Sequence, residues 1–455
     1  MSRGTRNPDR LNPADARLLD LERRRGLPLH VGFVLVFEGD APPAGALAEH
    51  VAQRLATVPR FRRVVVEVPL RQGRPVWAPD PHLHLAYHVR RESLPGGDER
   101  ALARLAGHLF SERLDRTRPL WELTVVEGLD ADRFALIAKS HAVLASEHDG
   151  DPDIVGALLD EDTQPPPPAA AAGADPPAGP LPSPGQLLAG AIVERACAPG
   201  ELLESLRGAL LAVRDELGRR DLDPLARLDA ATPSPLNRPT GPQRRFAWLD
   251  EPFELVRAAK ERLGGTVNDV VLAAVAGAVG SELRAAGTDT DGLVLRALTP
   301  VAGAAEGRLL AAYAPLPVGL RDERRRHSEI SRALDGLRDS GRAAAAGALR
   351  SRAGFAPTAM IGAAARLQTT QRSFNLAVTN APGPPGARRL LGRRLAAIHP
   401  AMPLAPAQTL SVAVISSGGR VCFGLLGDRG ALADPGRLVG FLHEALLELA
   451  PREAR

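Results

Sequence analysis

Lysine and cysteine are nearly absent from this 455-residue chain. The only cysteines are Cys197 and Cys422, and the only lysines are Lys139 and Lys260. Two cysteines cannot form a disulfide framework or a thiolate metal cluster, so the expected setting is reduced and cytoplasmic. With so little lysine, arginine supplies almost all the positive charge. The net charge is only +4, and the arginines are scattered apart from short clusters at Arg23 to Arg25, Arg324 to Arg326 and Arg388 to Arg394. That is not the continuous basic face that nucleic acid requires, so no nucleic-acid partner is expected. A weak attraction to anionic lipid is compatible with it. No apolar run approaches the roughly 20 residues of a membrane-spanning helix. Met1 to Leu11 is polar and lacks the apolar core of a signal peptide. Any membrane contact is expected to be peripheral, at the inner surface. His84, His88, His108, His148 and His399 do not have the spacing of metal ligands; neither a metal nor a resident cofactor is expected.

What is present is ordinary for a soluble globular protein: 44% hydrophobic and 24% charged residues. The length exceeds one ordinary core and points to two large units. Gln164 to Pro184 is dominated by proline, alanine and glycine, a composition that cannot bury a core and reads as an exposed linker. The expected division is therefore 1–162, a 163–243 linker with a helical crossover, and 244–455. Asn12 followed by Pro13 reads as a helix start. Leu29 to Phe37 reads as a strand, Asp98 to Leu114 as a helix, and Pro119 to His141 as an antiparallel hairpin turning at Gly128 to Asp132. Thr266 to Leu283 reads as an almost apolar helix capped by Thr266, and Ala343 to Leu367 as helical pieces. Further strands are expected at Leu293 to Pro300, Phe374 to Asn380, Arg394 to Ile398, Thr409 to Ser416 and Val421 to Leu426. Each half mixes strands and helices, an α/β layered architecture.

The chemistry centres on Phe134-Ala-Leu-Ile-Ala-Lys-Ser-His141. A short apolar run ending in histidine before a polar loop reads as a buried strand, and a strand end is a rigid place for a reactive side chain. Imidazole is the side chain suited to moving a proton near neutral pH.

The surrounding motifs match a family. They are Leu11-Asn-Pro-Ala-Asp15, Pro28-Leu-His-Val-Gly32, Val58-Pro-Arg-Phe-Arg62, Pro119-Leu-Trp-Glu122, Val267-Asn-Asp-Val-Val271, Asn375-Leu-Ala-Val-Thr-Asn380 and Gly424-Leu-Leu-Gly-Asp428. The chain resembles the bacterial wax ester synthase/diacylglycerol acyltransferase family. The resemblance implies two chloramphenicol acetyltransferase-like domains with a tunnel between them. It also implies acyl transfer from coenzyme A to diacylglycerol or a long-chain alcohol, with acyl-CoA as co-substrate. The family's His-His-x-x-x-Asp-Gly motif is broken here: Ser140 replaces the first histidine, and Ala145 and Ser146 replace the Asp-Gly pair. His141 keeps the place of the general base. Asp149-Gly150, after a local insertion, either takes over the missing place or is an ordinary loop turn, and the turn is the favoured reading. Thr379 and Asn380 are oxyanion candidates by their place in the family's second-domain strand. Asn268 and Asp269 are further candidates for substrate contact, or for capping their helix, and Ser140 is a candidate for substrate or oxyanion hydrogen bonding though not for the base. Trp121 and Glu122 read as structural. The broken motif also leaves open a non-catalytic homologue that binds acyl-CoA or lipid.

Overall fold

The computed structural model describes residues 9–144, 154–161, 180–197, 232–302, 309–337, 361–362, 365, 374–384, 386–432 and 434–451. The first part runs α1 (Pro13–Arg25), β1 (His30–Glu38), α2 (Ala44–Leu55), β2 (Arg63–Val66), β3 (Val76–Pro79), α3 (Leu85–His88), β4 (Val89–Gly97), α4 (Glu99–Ser111), β5 (Trp121–Leu129) and β6 (Arg133–His141). Then come α5 (Ile154–Leu158), β7 (Asp160–Glu161) and α6 (Pro184–Cys197). The last part holds β8 (Arg244–Pro252), α7 (Phe253–Leu263), α8 (Val267–Ala285), β9 (Leu295–Ala302), β10 (Leu309–Leu316), α9 (Glu323–Leu337), β11 (Leu376–Pro382), β12 (Arg388–Leu390), β13 (Arg393–Ala401), β14 (Leu410–Ser417), β15 (Arg420–Asp428) and α10 (Pro435–Leu449).

These strands form two mixed sheets and a small β2–β3 hairpin. The first sheet has the order β4-β5-β6-β1-β13-β12-β7 and the second β10-β9-β11-β14-β15-β8. Only β4 and β5 run parallel in the first; in the second, β11 is parallel to both β9 and β14. Sheet membership does not follow chain order. β12 and β13 come from the last part of the chain but lie in the first sheet, where β13 pairs with β1 from Gly32↔Ala401 to Phe37↔Leu395. The reason is that β1 is almost wholly buried. Its backbone N–H and C=O groups on the side away from β6 need a partner, because water cannot reach them. β13 supplies it. At the crossing, a methyl group on Gly424 would overlap the carbonyl oxygen of Pro400. Only glycine lets β15 pass so close to the end of β13.

β4 went unseen in the sequence because its residues are mostly charged or turn-forming and half exposed, as befits a sheet edge. The apolar helix forms as expected. Thr266 caps α8, and Asp269 returns the bond to the Thr266 N–H at 2.9 Å, a reciprocal cap worth about 1 kcal/mol. α8 then packs against one face of the second sheet. The other face of that sheet, through Leu298, Ala377, Ala413 and Ile415, shares a core with β1, β6 and α1. The two sheets thus meet along a common apolar seam. Of the expected helical pieces in 343–367, only Ile361, Gly362 and Ala365 lie among the described residues, and Ile361 and Ala365 are buried in this seam. Most of the linker also lies outside the described residues. No single described helix is long and apolar enough to cross a membrane.

Candidate active site at the end of β6

The pleat of β6 decides what its last residues can do. Phe134, Leu136 and Ala138 enter the shared seam, while Ala135 and Ile137 face α4. Side chains alternate along a strand, so Ser140 and His141 point to opposite faces. Ser140 therefore does not replace the missing imidazole beside His141.

His141 is 1% exposed. Its backbone N–H donates to Leu120 O at 2.9 Å, which fixes the strand end. Its Nδ1 accepts the Val143 N–H at 3.1 Å. A neutral ring in this arrangement carries its proton on Nε2. Nε2 lies 3.4 Å from Oε2 of Glu22. The neighbouring Lys139 is committed elsewhere. Its Nζ pairs with Glu122 at 2.8 Å and donates to Leu109 O and Glu112 O at the end of α4. Trp121 is fully buried and donates its indole N–H to Phe61 O at 2.7 Å. Both residues of the Trp-Glu pair are structural.

Glu22 reaches the site because of how α1 is built. Asn12 caps its first turn by accepting the Asp15 N–H at 2.8 Å. Gly26 ends the helix in the left-handed region, φ 67°, and donates its N–H to Glu22 O. Asp15, Leu18, Leu19 and Glu22 form the buried stripe. Burial pushes the Glu22 carboxyl up, but the pull of His141 and Arg116 outweighs it and holds the group at about 2. Arg116 Nε stands 3.8 Å from Oε2.

His30 completes the cluster. It is the Cα partner of His141 across β1 and β6, and the two rings stand edge-to-face with centroids 6.2 Å apart. Its Nε2 is 3.7 Å from Oε1 of Glu22. His30 is 3% exposed, yet neither ring nitrogen has a hydrogen-bond partner among the described residues. Leaving a buried polar group unmatched costs about 1–3 kcal/mol. Burial, reinforced by the positive charge of Lys139, keeps the His30 ring neutral.

The other candidates separate. Thr379 is fully buried and its hydroxyl has no partner among the described residues. It alternates with Val378, which faces α8, and so shares the seam face with Ala377; Asn380 faces the other way. The carboxylate of Asp269 accepts from the Thr266 N–H, the Thr266 hydroxyl and the Ser331 hydroxyl. With Asn268 it lies at the start of α8, and α8 packs on the opposite face of the second sheet from the seam. Cys422 contacts His399 Nδ1 at 3.0 Å, but burial pushes its thiol well up, the reverse of an activated nucleophile. A cavity of about 270 Å³ opens between β13 and the β14–β15 hairpin, with Ile398, Ile415, Cys422 and Arg420 in its wall; His141 is not among its lining residues. Ala145, Ser146, Asp149 and Gly150 lie outside the described residues. No group of potential metal ligands occurs among the described residues.

Sequence reasoning missed Glu22 and His30. Glu22 sits beside Arg23 to Arg25 and looks like a solvated helix charge. Its spacing from Asp15, Leu18 and Leu19 places it on the buried face, and that was the available signal.

Comparison with known proteins places the chain in a family. Residues 11–271 match the model of the wax ester synthase/diacylglycerol acyltransferase catalytic domain, and residues 308–450 that family's C-terminal domain. A Mycobacterium tuberculosis protein described as a "probable diacyglycerol O-acyltransferase", tgs1, is 30% identical over 96% of this chain and 95% of its own length. A second from that species, tgs2, is 30% identical over 97% and 98%. Among solved structures, the wax ester synthase/diacylglycerol acyltransferase from Marinobacter aquaeolei VT8 superposes with a TM-score of 0.66 at 27% identity, covering 97% of this chain and 98% of that one. The trichothecene 15-O-acetyltransferase of Fusarium sporotrichioides shares the fold at 12% identity, with a TM-score of 0.54 and coverage of 97% and 95%. The chain is an acyltransferase and belongs to the wax ester synthase/diacylglycerol acyltransferase family.

Proposed function

We propose that the protein transfers an acyl group from acyl-CoA to diacylglycerol or a long-chain alcohol, with His141 as general base. The carrying observation is the 3.4 Å approach of His141 Nε2 to Glu22. A carboxylate on one ring nitrogen fixes the tautomer and leaves the other lone pair as the base. In this reading the acceptor hydroxyl displaces the Val143 N–H from Nδ1. The alcohol gives its proton to Nδ1 as its oxygen bonds to the thioester carbonyl carbon. Glu22 then faces an imidazolium and stabilises it. The tetrahedral intermediate collapses with cleavage of the C–S bond, and Nδ1 returns the proton to the departing coenzyme A sulfur. The unmatched Thr379 hydroxyl supports a role as donor to the intermediate's oxyanion. Because the acceptors are lipids, the protein works at a lipid or inner-membrane surface, and no resident cofactor takes part.

The test is coenzyme A thiol release from a long-chain acyl-CoA, with and without acceptor, for the wild type and His141→Ala. Acceptor-dependent release that vanishes in the variant is the expected result. The 1% exposure of His141 and the broken motif favour one rival, a module that binds acyl-CoA without turnover. Tight acyl-CoA binding with no release would establish that rival instead.

A further inference from the structure

The proposed reaction uses one imidazole, yet the site buries two. We propose that His30 is a positioning residue for this reaction. Its Nε2 stands 3.7 Å from one carboxylate oxygen of Glu22, beyond hydrogen-bond reach in the resting structure, and closes on that oxygen as His141 gains its proton, so that the other oxygen stays aimed at His141. The inference rests on the acyl-transfer reading above.

Three observations carry it. His30 and His141 are register partners on adjacent strands and lie on the same sheet face, so the strand pairing sets the two rings side by side. The two rings address different oxygens of the same carboxylate, His30 Nε2 at 3.7 Å from Oε1 and His141 Nε2 at 3.4 Å from Oε2. Apart from His30, Oε1 has no neighbour that could hold it: it lacks a hydrogen-bond partner among the described residues, and Arg116 addresses Oε2. A free carboxylate on a helical side chain rotates. One held at both oxygens presents a fixed acceptor to the ring that must become charged.

The position also bears on the broken motif. Ser140 removes an imidazole from the face of β6 opposite to that of His141. His30 supplies a second imidazole on the same face as His141, from the neighbouring strand. The polar surroundings of His141 are therefore completed by residues 22 and 30, far from the motif in sequence.

A double-mutant cycle of His30→Gln and Glu22→Gln, read as kcat and KM for acceptor-dependent coenzyme A release, tests this. Glutamine at position 30 keeps an N–H donor in similar volume, and His30→Ala removes it. His30→Ala is expected to lower kcat 10- to 100-fold with KM changed less than threefold. His30→Gln should recover at least half of that loss on a logarithmic scale. In the Glu22→Gln background, His30→Ala should cost less than threefold more. Equal losses with and without Glu22 would overturn the inference, because His30 would then act independently of the carboxylate. Wild-type kcat in His30→Ala would also overturn it. If His30→Ala does not fold, His30→Gln carries the cycle alone: a loss of threefold or more that is the same in both Glu22 backgrounds overturns the inference. A wild type without acceptor-dependent release fails the acyl-transfer reading itself, and that result is read before any variant is compared.

Discussion

Replacing Glu22 with glutamine changes one charge and almost no volume, and it falls on the group that the proposed mechanism needs only when His141 becomes positive. At 3.4 Å, a carboxylate and an imidazolium attract by about 5 kcal/mol at an effective dielectric near 20. The carboxyl's own titration gives a smaller figure. A group at about 2 in the fold against 4.5 in the open chain corresponds to on the order of 3 kcal/mol. The smaller value is the better guide, because it already includes the burial that opposes the charge. Lost only from the transition state, it lowers kcat by roughly 10²- to 10³-fold and leaves KM nearly unchanged. The assay is thiol release under saturating acyl-CoA and acceptor, with a thermal melt of each protein. Glutamine keeps the volume but loses the stabilisation carried by the charge, so the variant should stay folded and melt below the wild type at pH 7. A folded Glu22→Gln enzyme with kcat within threefold of wild type would refute the role given to this carboxylate.

Two further outcomes follow from the same geometry. The folded-state value for Glu22 lies below its open-chain value, so its stabilising contribution is complete above pH 4.5 and is lost as pH falls toward 2. Urea titrations at pH 5 and pH 3 should show a larger acid loss for the wild type than for Glu22→Gln, by on the order of 1–3 kcal/mol; equal losses would contradict the depressed carboxyl. Asp269→Ala should cost about 0.5–2 kcal/mol of stability through the lost cap while kcat/KM stays within twofold, whereas a large kinetic loss with an unchanged melt would return Asp269 to the substrate.

The sequence alone determined a good deal, because some of its signals are local. The proline in Asn12-Pro13, the cap at Thr266 and the apolar run ending at His141 each dictate their own backbone. The ordered motifs were enough to assign the family and its fold. The helix cap also explained Asp269 without reference to substrate.

Tertiary structure decided the rest, because it depended on pairing between distant segments. Nothing near Arg393 to Ala401 says that this strand satisfies the open edge of β1 rather than joining its sequence neighbours. Nothing in the sequence around His141 says that a carboxylate of α1 stands 3.4 Å from its ring. The pleat of β6 turns Ser140 away from His141. The register of β1 brings His30 beside it, and the left-handed turn at Gly26 ends α1 just past Glu22. Sequence supplied the imidazole and its strand; strand register and helix placement brought the carboxylate and the second ring beside it.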